Sequence, residues 1–183
     1  MQTDLSKFNN NWYKPGGHIL RCALWFLTNG LFLRNSLNPF SGLKCWLLRF
    51  FGAKVGKGVN IKPSVNIKYP WRFTIGNYCW IGENVWIDNI EDVVIGNNCC
   101  ISQGAMLLCG NHNYKKSTFD LILGKIVLED GAWIGAKSTV CPGVTVKSHA
   151  ILTVGSVATK DLQPYTIYQG NPALPIHQRK IEV

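Results

Sequence analysis

Large aliphatic side chains recur at every sixth position through most of this chain. Val55, Ile61 and Ile67 form a first triplet, followed by Ile75, Ile81 and Ile87, then Ile95, Ile101 and Leu107. The beat resumes at Leu128, Ile134 and Val140 and runs out with Val146, Leu152 and Ala158. Between the first three triplets the step is eight rather than six, so the pattern groups in threes, with a two-residue insertion at one corner. Three faces per turn is the simplest reading. Two residues before most beats the side chain is small, as at Ala53, Cys79, Cys99, Ala105, Ala132 and Ala150. Such residues suit an inward position beside a large aliphatic in a narrow interior. Three residues after the beat stand Gly58, Asn84, Asn98, Gly104, Gly110, Gly131, Gly143 and Gly155, types that accept positive φ and turn a corner. The pattern predicts an all-β domain, a parallel β-helix of about five coils, above the minimum of about three repeats for a stable stack.

The rhythm breaks once. Between Leu107 and Leu128 lies an excursion, 108–127, that carries Gly110-Asn111-His112-Asn113-Tyr114. Structureless loops of this length are uncommon in compact domains and often functional. Imidazole, with an unperturbed pKa of about 6.5, is largely neutral near pH 7 and is the usual general base, so His112 is the candidate catalytic residue. His18, His149 and His177 lie in the N-terminal segment, at a corner and in the tail. Asp88 and Asn89, one turn below the excursion, are candidates to orient the imidazole or bind acceptor hydroxyls; as common turn caps, they have a purely structural reading too. Trp80, Trp86, Met106 and Trp133 share the position before the beat, which points outward. A row of exposed tryptophans is expected to be covered by neighbouring copies, with stacking against a sugar ring as the alternative role.

The flanks do not follow the beat. Residues 1–52 read as a polar arm, Met1 to Pro15, followed by two apolar segments, Gly16 to Arg34 and Leu43 to Phe51. Both segments are too short or too interrupted to span a bilayer, and no cleavage site of secretory type follows. They are expected to form helices over the open end of the stack, hiding its strand edges; contact of residues 16–51 with a membrane surface is the alternative. The β-helix is assigned to 53–160 and a closing segment, marked by Pro164 and Pro172, to 161–183.

Composition narrows the function. With 183 residues and 46% hydrophobic content, the chain is long enough for one domain with its own core. A net charge of +9 favours an anionic partner, yet Lys and Arg form no run or stripe of the kind that marks a nucleic-acid protein. Seven cysteines without C-x-x-C spacing argue against a disulfide framework and a zinc knuckle, and Cys79 and Cys99, in phase on successive turns, read as small buried side chains. A reducing cytoplasm is the expected compartment.

The repeated Ile-Gly pattern of Ile75-Gly76, Ile81-Gly82, Ile95-Gly96 and Ile134-Gly135 resembles the hexapeptide-repeat acyltransferases. The resemblance covers roughly Ala53 to Ile176. Val85-Trp86-Ile87-Asp88-Asn89, Gly110-Asn111-His112, Glu129 to Lys137 and Tyr168 to Ala173 are most similar to acetyltransferases of exopolysaccharide, colanic-acid type, gene clusters. It implies a left-handed coil, acetyl-CoA as co-substrate without a metal, and direct attack of a sugar hydroxyl in a ternary complex. It also implies a homotrimer with active sites between subunits and His112 as base, to which the positions of Asp88, Asn89 and Trp86 add candidates for the acceptor side. For coenzyme A the matched positions are Ala136, Val154, Thr159 and Lys160; the family's tail arginines align with Leu174 and His177, leaving Arg179 and Lys180 as substitutes. Gly82 stands where smaller sugar acetyltransferases place an acceptor-binding asparagine, so the implied acceptor differs: a glycan or its precursor. An amino-sugar N-acetyltransferase, a γ-type carbonic anhydrase and a non-catalytic scaffold are the competing classes; the carbonic anhydrase needs three histidines on successive turns, which this chain lacks.

Overall fold

Every beat residue stacks on the equivalent residue of the next turn. The computed structural model describes residues 2–182. On the first face Val55, Ile75, Ile95, Leu128 and Val146 lie in parallel register. On the second face Ile61, Ile81, Ile101, Ile134, Leu152 and Tyr168 do so. The third face carries Ile67, Ile87, Leu107, Val140 and Ala158. Nearly all of these side chains are fully buried, each contributing on the order of 1.5–3 kcal/mol. The stack runs beyond the five expected coils: Leu162 bridges to Val146 and Tyr168 pairs with Leu152, beginning a sixth. The strand Thr166–Gly170 then pairs antiparallel with Ala173–Gln178, which closes that edge.

The corners obey position rather than residue type. Wherever the step is six, the residue three after the beat has positive φ: Gly58, Asn84, Asn98, Gly104, Gly131, Gly143 and Gly155, but also Ser64, Tyr78, Lys137 and His149. Gly110, expected among these, instead lies in a strand of the excursion. The glycine following the beat answers a different demand. A Cβ on Gly76 would sit 2.6 Å from the Gly96 carbonyl oxygen of the next turn, so the Ile-Gly pattern is set by the close approach of stacked backbones.

At the open end, backbone polarity dictates what the cap must contain. Gly56, Lys62 and Lys68 donate their N–H groups to the carbonyls of Ile75, Ile81 and Ile87 one turn on, so the first coil's own beat carbonyls have no coil beneath them. Helix α1 (Ile19–Thr28), the π-helical turn that continues it (Asn29–Leu33) and helix α2 (Ser41–Phe50) supply the missing donors. Arg49 Nε donates to Val55 O at 3.0 Å, and Trp25 Nε1 to Ile67 O at 2.9 Å. Lys44 Nζ donates to Lys62 O at 2.8 Å and Ile61 O at 3.3 Å. Lys44 is fully buried by this role, and desolvation holds its pKa below the ordinary lysine value.

Candidate active site

The excursion is an antiparallel hairpin of Gly110–His112 with Leu121–Leu123, its base tied by the Gly124 N–H donating to Cys109 O at 2.9 Å. It emerges at the third corner, between the third face and the next first face, above Asp88. Inside it His112 lies flat on Phe119, ring centroids 4.4 Å apart and planes 7° from parallel, while Phe8 of the N-terminal arm meets its edge at 5.6 Å. The Nδ1 of His112 is 2.8 Å from Phe119 O. A carbonyl only accepts, so Nδ1 carries the proton of the neutral ring and Nε2 is left with a free lone pair. Phe119 itself has φ of 52°, a conformation a bulky residue adopts at a cost of about 1–3 kcal/mol. That local cost falls on the residue that fixes the tautomer.

His112 lines a cavity of about 420 Å³ with Phe8, Tyr13, Lys68, Asp88 and Leu121. Asp88 pairs with Lys68 at 2.8 Å and faces this space without bonding the imidazole. Asn89 lies fully buried, accepting from the N–H groups of Lys68 and Tyr69, both at 3.0 Å, and donating to Tyr69 O. Its amide is spent on that turn, and the orienting partner of His112 is a carbonyl of its own loop. The Tyr13 hydroxyl donates to Ile90 O at 2.9 Å; burial, with Tyr69 nearby, pushes its pKa up, so it stays a neutral donor. Phe8 and Tyr13 were invisible to the six-residue pattern because they belong to an arm outside the repeat. Trp86 borders an adjoining space of about 350 Å³ with Asp88, Lys68, Arg34 and Phe26.

A second groove runs along the second face. Ser102, Gln103, Trp133, Ala136, Leu152 and Val154 line about 430 Å³ of it, with Trp133 Nε1 donating to Ser102 Oγ at 2.9 Å. Ser102 and Gln103 continue into a space of about 270 Å³ beside Trp80 and Lys62. Of the expected coenzyme positions, Ala136 and Val154 meet here. Thr159 and Lys160 are exposed after the last strand of the third face and do not line it. Arg179 is committed elsewhere: Nη1 donates to Gly131 O at 3.0 Å and His149 O at 3.1 Å, across the first corner. Lys180 is exposed in the tail. The outward tryptophans do not form one row. Trp80 and Trp133 stand on the second face, Trp86 and Met106 on the third. Among the described residues no group of three or more His, Cys, Asp or Glu is placed to hold a metal ion.

This is a parallel β-solenoid with a histidine hairpin at one corner and a groove on another face. No family model matches the chain. An Escherichia coli (strain K12) protein assigned to colanic acid biosynthesis as the acetyltransferase WcaF is 34% identical over 176 residues, 96% of this chain and 97% of that one. The crystal structure of the hexapeptide-repeat containing acetyltransferase VCA0836 from Vibrio cholerae superposes with a TM-score of 0.78 at 23% identity, covering 90% of this chain and 96% of that one. Another structure of that protein is complexed with acetyl-CoA. AntD, an N-acyltransferase from Bacillus cereus, was solved as a serine-to-cysteine mutant with dTDP-4-amino-4,6-dideoxyglucose and coenzyme A. It gives a TM-score of 0.66 at 21% identity, covering 80% of this chain and 92% of that one. The chain belongs to the hexapeptide-repeat acetyltransferases, left-handed β-helix enzymes that take their acyl group from acetyl-CoA.

Proposed function

We propose that the protein transfers the acetyl group of acetyl-CoA to a sugar hydroxyl of a surface glycan or its precursor, in the cytoplasm. The observation that carries this reading is the fixed tautomer of His112, a residue that lines a cavity of about 420 Å³ and keeps its Nε2 lone pair for a substrate proton. As the hydroxyl oxygen attacks the thioester carbonyl carbon, its proton passes to Nε2; the tetrahedral oxyanion then collapses and expels the thiol sulfur, which takes the proton from the imidazolium. Similarity to the colanic acid protein supports a glycan acceptor. The alternative of an amino-sugar acceptor is favoured by the likeness to AntD, whose bound sugar carries an amine.

His112 sits at the third corner, while Ala136 and Val154 lie on the second-face groove, so one prism holds the base and the thioester channel apart. A homotrimer that sets the third corner of one subunit against the second face of the next would join them. Acetyl-CoA is incubated with glycosyl acceptors and the products weighed by mass spectrometry. Acetylation of a hydroxyl is expected; acetylation of amines alone would replace this reading with the alternative. Mixing His112→Ala subunits with Ala136→Trp subunits, each inactive alone, is expected to restore turnover if sites are shared. Absence of recovery in mixed oligomers places the whole site within one chain.

A further inference from the structure

Helix α1 and its π-helical extension turn one stripe against the stack at helical spacing: Trp25, Asn29 and Leu33, all buried, with Cys22 half-buried. On a different side Leu20, Leu24, Leu27 and Leu31 repeat the same spacing, yet these four are 58–66% exposed. Helix α2 is inverted in a comparable way. Its lysine, Lys44, is fully buried, whereas Trp46 and Phe50 stand outside at 57% and 71% exposure, their rings stacked at 5.6 Å. Outward leucines and aromatics on both cap helices make an apolar end face, more than the scattered apolar residues an ordinary surface carries.

Most of the surplus charge of the molecule belongs to the same end, the remainder to the arm. Residues 1–82 contain eleven Lys and Arg against a single acid, Asp4, a net +10; residues 83–183 carry eight against nine, a net −1. Together these make the +9 of the whole chain. The basic surplus therefore lies entirely in the N-terminal arm, the cap and the first coil, where Arg34, Lys54, Lys57, Lys62 and Lys68 are exposed. Lys68 and Arg72 are paired with Asp88 and Glu91 of the next coil, but among the described residues Lys54, Lys57 and Lys62 make no ion pair, and an apolar face bordered by these lysines is complementary to a surface that is apolar within and anionic at its rim.

We propose that this end of the prism docks on an anionic lipid bilayer, with Leu24, Leu27, Trp46 and Phe50 entering the headgroup region and the first-coil lysines facing lipid phosphates. No helix among the described residues is long and apolar enough to cross a membrane, so the contact is peripheral. Phe26 and Arg34 of the cap also border the space beside Trp86 and Asp88, which shares Lys68, Tyr69 and Asp88 with the His112 cavity. Docking in this way sets the acceptor side of the site next to the lipid surface.

The test is co-sedimentation of the full chain with vesicles of phosphatidylcholine alone or mixed with phosphatidylglycerol, and it stands apart from any assay of acetyl transfer. Partition into the anionic vesicles is expected to exceed that into the neutral ones by about tenfold and to weaken as salt is raised. Leu24→Glu with Phe50→Glu, two exposed positions, is expected to lower partition by about a hundredfold while circular dichroism is unchanged. Lys54→Glu with Lys57→Glu, outside the helices, is expected to lower it by about tenfold in the anionic vesicles only. Equal partition into both vesicle types, or variants that bind as the parent does, overturns the proposal. So does a drop in oligomer size on sedimentation of the Leu24→Glu, Phe50→Glu chain, which would make this face an interface between copies.

Discussion

Two histidines stand at two kinds of corner and show what an interruption in a repeat makes possible. His149 occupies an unbroken corner: its φ is 59°, its ring lies flat on Tyr165 at 4.7 Å, and its Nδ1 is 2.7 Å from Ser148 Oγ. His112 occupies the broken corner, and it too lies flat on an aromatic ring, at 4.4 Å. Stacking therefore does not distinguish them. The difference is in the Nδ1 partner. The Ser148 hydroxyl can give its one proton either to Asp130 O, at 3.2 Å, or to the ring, so both tautomers of His149 fit, whereas the Phe119 carbonyl allows only one for His112. The regular corner is a way of turning the chain; the hairpin is a way of fixing a proton.

Replacing each histidine with alanine should separate the two roles most sharply. His112→Ala is expected to lower kcat by about 10²–10⁴-fold with little change in coenzyme A binding, and His149→Ala to leave kcat where it was. Equal losses would mean the hairpin holds no special proton. Next in size is the beat itself: Ile101→Ala, at a fully buried position of the second face, is expected to cost about 2–5 kcal/mol in chemical denaturation. An unbroken corner should be far more forgiving. Lys137 has φ of 55°, and Lys137→Gly is expected to change stability by less than about 1 kcal/mol, relief of backbone strain offsetting the freer unfolded chain.

The smallest effect concerns a polar ladder beside the first corner, where Asp130 accepts from the Asn97 N–H at 2.7 Å and Asn97 from the Asn77 N–H at 2.9 Å. These bonds hold the Asp130 carboxyl below its ordinary value of 3.8. The native state thus binds the proton less readily than the unfolded chain, and this contribution is present above pH 3.8 and lost as pH falls through the lower native value. Asp130→Asn is expected to flatten that part of the acid-unfolding curve; an unchanged curve would show the ladder to be passive.

The prism was legible because its demand is periodic: a narrow interior asks for one large aliphatic per strand, and the chain states this fourteen times before it runs out at Ala158. The positive-φ corners at Ser64, Tyr78, Lys137 and His149 were not legible by residue type, since stacking on the turns above and below imposes the conformation on whatever residue arrives. The outward phase of the tryptophans was legible, but not their division between two faces. Phase within six residues gives inside or outside, and only the count within each triplet separates Trp133 from Trp86. At the candidate site His112 could be picked out by the break in rhythm. Its partner could not, because a carbonyl carries no signature in sequence, and Phe8 reaches it from over a hundred residues away.

The beat carbonyls accept from the turn before them, as Ile75 O does from the Gly56 N–H and Ile95 O from the Gly76 N–H, and this gives the molecule a head and a tail that are chemically unlike. A coil copied into the middle presents the same carbonyls below and the same amides above as the coil it came from, so the prism can lengthen without either closure being redesigned. The head cannot be moved in this way. Its lysine, arginine and tryptophan answer a rim of acceptors that exists only where the winding starts, which makes the first coil and its cap a unit to be kept together through any rearrangement of the gene.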